Sequence, residues 1–177
     1  MDIIMRQERP EDYIKTEELT KEAFLHAEFS DKKEHLLVKR LRTSDAFIPE
    51  LSLVAVDQED GLVGHVLLSK ITIAHGHNVT DSLALAPVSV SPSYQGMGIG
   101  SRLIRKALEK AEEIGYASVV VLGHKDYYPK FGFRRASSWN IRPPFDVPDE
   151  VFMALELKED SLRHAQGVVH YPEAFTE

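Results

Sequence analysis

The chain contains no cysteine. That excludes disulfides, thiolate-held metals and a cysteine nucleophile, and it disfavours any thioester formed on the protein. Tryptophan occurs once. No apolar run approaches the roughly 20 residues that a bilayer span requires, and the N-terminus lacks a basic stretch followed by an apolar one. No membrane partner is therefore expected, and a cytoplasmic location follows by default. Positive charge is in deficit: 21 Lys and Arg against 28 Asp and Glu leave a net charge of −7. That balance speaks against a nucleic-acid partner. Repeats, low-complexity tracts and linkers are also missing, so the 177 residues read as a single domain, 1–177, long enough to bury a core. Histidines are present but scattered. His75 and His77 share a loop with no third ligand at a recognisable spacing, while His164 and His170 stand alone, so no metal site is expected.

Against that background one segment stands out. Val88-Ser89-Val90-Ser91-Pro92-Ser93-Tyr94 runs into Gln95-Gly96-Met97-Gly98-Ile99-Gly100-Ser101. It reads as an apolar strand, a short polar turn, a glycine-rich loop and the start of a helix. Glycine at alternate positions lets main-chain amides approach a ligand closely, and a helix points its positive end at the same place. The ligand implied is a pyrophosphate. A P-loop needs Lys and Ser or Thr directly after its last glycine, whereas Gly100 is followed by Ser101 and Arg102. A dinucleotide fingerprint needs two residues before its last glycine, and only Ile99 separates Gly98 from Gly100. The plain alternative is a glycine-rich turn with no ligand.

The rest of the chain alternates strands and helices. Strands are expected at Ile3 to Arg6, Leu51 to Val56, Leu62 to Ile73, Leu83 to Val90, Ala117 to Leu122, Val151 to Leu157 and Gly167 to Tyr171. Gln58-Glu59-Asp60-Gly61 has hairpin-turn chemistry, and Ala74 to Asn78 reads as a loop. A helix follows Pro10, and a second is expected over about Asp31 to Leu41. Gly98 to Ile114 carries the clearest helical period: Ile99, Leu103, Ile104, Ala107, Leu108, Ala111 and Ile114 share one stripe. Ser161 to Gln166 suits one further turn. Pro87 cannot donate to a ladder and so marks a bulge or an edge in its strand. Arg102, Arg105 and Lys106 form a local basic strip, either a solvated helix face or a contact for a phosphate.

Gln95-x-x-Gly98-x-Gly100 resembles the (Gln/Arg)-x-x-Gly-x-(Gly/Ala) loop of the GNAT acetyltransferases. Tyr127-Tyr128-Pro129-Lys130-Phe131-Gly132-Phe133 resembles the Tyr-x-x-x-Gly-Phe segment that follows their fifth strand. The likeness covers nearly the whole chain and is strongest from Leu83 to Phe133. It implies a mixed α/β fold, with a twisted, largely antiparallel sheet of six or seven strands and about four helices. It also implies an N-acetyltransferase moving an acetyl group from acetyl-CoA to a primary amine, on a small molecule or a protein, directly within a ternary complex. Gln95, Gly96, Met97, Gly98, Ile99, Gly100 and Ser101 would hold the pyrophosphate. Val88, Ser89 and Val90 would hold the pantetheine arm like an added strand and offer an amide to the oxyanion. Tyr128, four residues before Gly132, would be the general acid; Tyr127 is the alternative, expected to pack beneath Phe131 and Phe133. Phe145 and Trp139 could shape the acceptor side.

Two departures from the family pattern stand out. No Asn precedes the tyrosine, where Gly123-His124-Lys125-Asp126 stands, and no carboxylate lies in Leu83 to Val90. His26, Glu28, Asp31 and His124 are the candidates for the general base. These departures keep open an acyl-CoA-binding sensor or scaffold without efficient turnover. The sequence leaves a homodimer open as well.

Overall fold

The longest apolar alternation folds into a long hairpin. β3 (Leu62–His75) and β4 (Asn78–Val90) pair antiparallel down to His75 opposite Asn78. Only Gly76 and His77 remain as a two-residue turn, with Gly76 at φ 61°. The expected loop from Ala74 to Asn78 is thus mostly strand. The computed structural model describes residues 2–28, 30–59 and 61–176. The turn expected at Gln58–Gly61 includes Asp60, which lies outside them. Its ends are tied by the Asp57 amide donating to the Gly61 carbonyl at 2.9 Å.

Among the described residues nine strands form one sheet. β1 (Ile4–Gln7) and β2 (Phe47–Val56) precede the hairpin; β5 (Ser118–Leu122), β6 (Arg134–Arg135), β7 (Ile141–Arg142), β8 (Phe152–Glu156) and β9 (Gly167–His170) follow it. The main order is β1-β2-β3-β4-β5-β8-β6, and β9 pairs with β3 and β7. Among the described residues only β4–β5 and β7–β9 run parallel. The mixed α/β, largely antiparallel fold expected from the sequence is what the structure shows. The count rises to nine because β6 and β7 are two residues each, too short for a periodic signal. Among the described residues there are three α-helices, not the four or so expected: α1 (Tyr13–Phe24), α2 (Glu34–Arg42) and α3 (Ile99–Glu113). The segment expected as a further helical turn near Ser161 has irregular turns instead.

The helices divide between the two faces. α3 buries Ile99, Leu103, Ile104, Ala107, Leu108 and Ala111 against Leu53, Ala55, Val66, Leu68, Leu83 and Leu85. Gly64 permits this approach: a Cβ there would lie 2.9 Å from Leu103 Cδ1. α2 covers the other face, where Val38 and Leu41 meet Leu67 and Ala46.

Where α1 meets the sheet the layer is polar. Ser52 Oγ donates to Glu8 Oε1 at 2.7 Å and therefore accepts from His65 Nε2–H at 2.9 Å. Glu8 also holds Arg42 at 2.6 Å, and Arg42 reaches Glu17 at 2.7 Å. Burial pushes His65 down to about 4, against the pull of the Glu8 charge, and Arg42 adds to the depression.

Candidate active site

β4 stops pairing with β5 early. Their register covers only Leu83–Val119 and Ala84–Val120. On its other side β4 slips against β3 between Leu85 and Val88, so of the bulge and the edge that the proline at position 87 left open, the structure has the bulge. Beyond Ala84 the edge of β4 therefore faces a gap instead of a strand. Val88, Ser89 and Val90 stay paired on the β3 side with Val66, His65 and Gly64. The Ser89 hydroxyl is buried and turns toward Thr20.

At the end of β4 the backbone forms a cradle. The Ser91 amide donates to Val63 at 2.9 Å, and a 3-10 turn, Pro92–Tyr94, follows. Tyr94 is pinned by its hydroxyl donating to Asp57 Oδ2 at 3.2 Å. The Gly61 and Glu59 amides bond the same carboxyl and hold it below the usual range. Gln95 Nε2 donates to the Val90 carbonyl at 3.1 Å. Gly96 and Gly98 have φ of 81° and 80°, and a Cβ at either would meet open space. α3 starts directly after Gly98 with no side-chain cap. Its first turn, Ile99 to Ser101, thus presents amide hydrogens that the helix itself cannot satisfy. Met97 is exposed beside them. Positive φ, room at each glycine and an uncapped positive helix end fit a diphosphate.

The two tyrosines divide differently from the sequence expectation. Tyr128 is the buried one, 8% exposed, packed edge-on to Phe133 at 5.7 Å and to Tyr127 at 5.1 Å. Burial, with a smaller contribution from Tyr127, pushes its phenol well above 10. The ring lies against Gly123, where a Cβ would stand 2.2 Å from Tyr128 Cε2. Gly123 thus occupies a place where no side chain fits, which is a physical reason for a glycine in that interval. Tyr127 packs on Phe131 at 5.4 Å, and its hydroxyl lies 3.1 Å from Ser101 Oγ at the start of α3. The sequence put Tyr127 under the phenylalanines; the 3-10 turn Tyr128–Phe131 sends Tyr128 inward instead.

Across the sheet from α3 lies a cleft of about 820 Å³, and it opens onto the same β4–β5 gap through Ala84, Leu85, Ala86, Val120 and Leu122. Asp31 and Glu34 border it, and Phe145, Tyr171 and Phe175 make an aromatic wall. Phe145 is 41% exposed and stacks on Tyr171 at 6.0 Å. Burial lifts the Tyr171 phenol to about 12. Of the four base candidates only Asp31 lines the cleft. His26 and Glu28 are exposed elsewhere, and His124 Nδ1 accepts from the Asp126 amide at 3.1 Å in an exposed turn. Glu34 was not singled out from the sequence because it reads as an ordinary first-turn acid. Trp139 does not line the cleft; its ring lies under the Arg134 guanidinium at 4.8 Å. The basic strip diverges too. Arg102 donates to the Ile3 carbonyl, Arg105 lies over Phe131, and Lys106 lines a groove beside Glu109 and Glu113. Among the described residues no group of three His, Asp or Glu could hold a metal ion.

Comparison with known proteins fits this geometry. Residues 8–133 match the model of the Acetyltransferase (GNAT) family. The chain is 33% identical over 154 residues to the uncharacterized N-acetyltransferase YhbS of Escherichia coli K12, covering 87% of this chain and 90% of that protein. It is 39% identical over 123 residues to the uncharacterized N-acetyltransferase YjhQ of the same strain, covering 69% and 67%. Among solved structures, Escherichia coli YhbS in complex with CoA superposes with a TM-score of 0.88 at 28% identity, over 99% of this chain and 92% of that one. A GNAT family acetyltransferase from Brucella melitensis in complex with acetyl-CoA gives 0.80 at 33% identity, over 98% of both.

Proposed function

Since the chain belongs to the GNAT acetyltransferase family and is an acetyl-CoA-dependent N-acetyltransferase, we propose that it transfers the acetyl group directly to a primary amine across the β4–β5 gap. The observation that carries this reading is the gap left where β4 parts from β5 after Ala84. Tyr128 packs in the α3-face core, the glycine cradle follows the end of β4, and the cleft on the α2 face reaches the gap at Ala84, Leu85 and Ala86.

On this reading the amides from Gly96 to Ser101, with Gln95 fixing the loop, bind the diphosphate of the donor, and the free edge at Val88 to Val90 aligns its pantetheine arm. Ser89 contributes through its main chain, since its hydroxyl turns inward. The acceptor enters the cleft, whose lining sets Asp31 and Glu34 beside Lys33 and Arg40, and the aromatic wall accommodates its carbon skeleton. Holding both reactants in line removes several kcal/mol from the barrier. The amine nitrogen attacks the thioester carbon, a C–N bond forms and the C–S bond breaks. A main-chain amide in Val88 to Val90 donates to the oxygen as it gains charge.

An acceptor that arrives as an ammonium first gives up a proton, with Asp31 in the cleft as the candidate to receive it; the neutral amine then loses a second proton on attack and the departing sulfur gains one, so one proton is released per turnover. Tyr128 acts on the sulfur side. A phenol raised above 10 stays protonated, and a thiol has an ordinary pKa of about 8.5. Tyr128 therefore stabilises the sulfur mainly by donating a hydrogen bond as the C–S bond opens, with transfer late. The test is Tyr128→Phe, assayed by free-thiol release with the amine, from a broad panel, that reacts fastest. We expect kcat to fall about 100-fold with acetyl-CoA affinity unchanged, whereas Tyr127→Phe raises the KM for acetyl-CoA. Full kcat in Tyr128→Phe would remove the role.

A further inference from the structure

The protein is acidic, yet among the described residues two cations beside the cradle have no acidic partner. Arg105 follows Ser101 by four residues, one turn along the same side of α3. Its guanidinium lies 5.0 Å over the Phe131 ring. Lys130 Nζ lies 4.0 Å over Tyr127 and 5.2 Å from the centre of Phe131. Both cations thus rest on one aromatic platform, and Tyr127 joins that platform to Ser101 through the 3.1 Å hydroxyl contact. Among the described residues neither is in an ion pair, whereas Lys110 and Arg135 have Glu113 and Asp149 within reach. Exposed cation–π contacts contribute only about 0.5–1 kcal/mol each and leave both positive charges, which repel one another, unneutralised. A dianion within reach of both neutralises them.

Accepting the donor site described above, we infer that Arg105 and Lys130 form the subsite for the ribose 3′-phosphate of the CoA moiety. The spacing suits that group. The diphosphate sits on the first turn of α3, and one further turn is about 5.4 Å, the scale of the single ribose that separates the 5′-diphosphate from the 3′-phosphate. Near pH 7 a phosphate monoester carries about −1.5 to −2 charges, which two cations match. The other members of the basic strip do not compete, because Arg102 is tied to the Ile3 carbonyl and Lys106 faces the Glu109–Glu113 groove. Lys130 enters from outside the strip, brought in by the 3-10 turn after β5. The consequence is selectivity: the enzyme distinguishes CoA from its 3′-dephospho form without any contact to the acyl group.

Calorimetric titration of CoA and 3′-dephospho-CoA into the full chain tests this. The wild type is expected to bind CoA about tenfold more tightly than dephospho-CoA. Arg105→Gln with Lys130→Gln should abolish that ratio while leaving dephospho-CoA affinity within about twofold of wild type, which also serves as the control for folding. Equal affinity of the wild type for the two ligands overturns the inference, as does a ratio that survives in the double variant. Failure of both ligands to bind the wild type overturns the donor site itself, and this subsite with it.

Discussion

At the scale of single residues, Gly123 and Tyr128 act as one unit. The ring occupies the space a Cβ would need, so the glycine is a condition for where the phenol sits. Gly123→Ala should therefore push Tyr128 out of register. We expect a kcat approaching that of Tyr128→Phe with the hydroxyl still present, and a stability loss of about 1–3 kcal/mol, read from turnover and from the denaturation midpoint. Wild-type kcat would show that the ring position is immaterial. The sequence made Tyr128 legible as a candidate but not its setting. Adjacent aromatics in a short 3-10 turn point in different directions, and no periodicity says which one turns inward. The packing duty of Gly123 was equally hidden, because it is a contact with a ring five residues on. Glu34 and the Phe145–Tyr171–Phe175 wall were largely illegible for the same reason: the topology, and no local pattern, brings them together.

At the scale of elements, the β4–loop–α3 unit was the most readable part. Its helix was expected at Gly98 to Ile114 and spans Ile99–Glu113. Seven apolar residues on one stripe leave little choice. The bulge at Pro87 was readable because a missing N–H is a local fact. The two-residue strands were not, since pairing alone defines them. On the proposed donor site, function at this scale rests on the glycine φ values. Gly98→Ala places a side chain at φ 80°, a conformation that costs an L-residue about 1–2 kcal/mol. The relaxed loop withdraws amides from the diphosphate. The expected outcome is a KM for acetyl-CoA raised about tenfold with kcat nearly kept, checked by varying acetyl-CoA at saturating amine. An unchanged KM would mean the loop does not carry the donor.

At the scale of the molecule, the polar seam between α1 and the sheet links stability to pH. His65 titrates near 6.5 when unfolded and near 4 when folded, chiefly because burial disfavours its charge. Between those values the unfolded chain binds the extra proton. This contribution is therefore complete above pH 6.5 and declines as pH falls toward 4, by roughly 3 kcal/mol in all. Denaturant midpoints at pH 7 and pH 5 should differ accordingly, and His65→Gln should flatten the slope across that window. A slope that persists in the variant assigns the effect elsewhere. The gap where β4 leaves β5 has a different kind of consequence. A wall with one window, reached from separate rooms, lets each visitor come and go by its own door. On the proposed reading, the α2-side room can be refitted for a different visitor while the donor's room keeps its fittings.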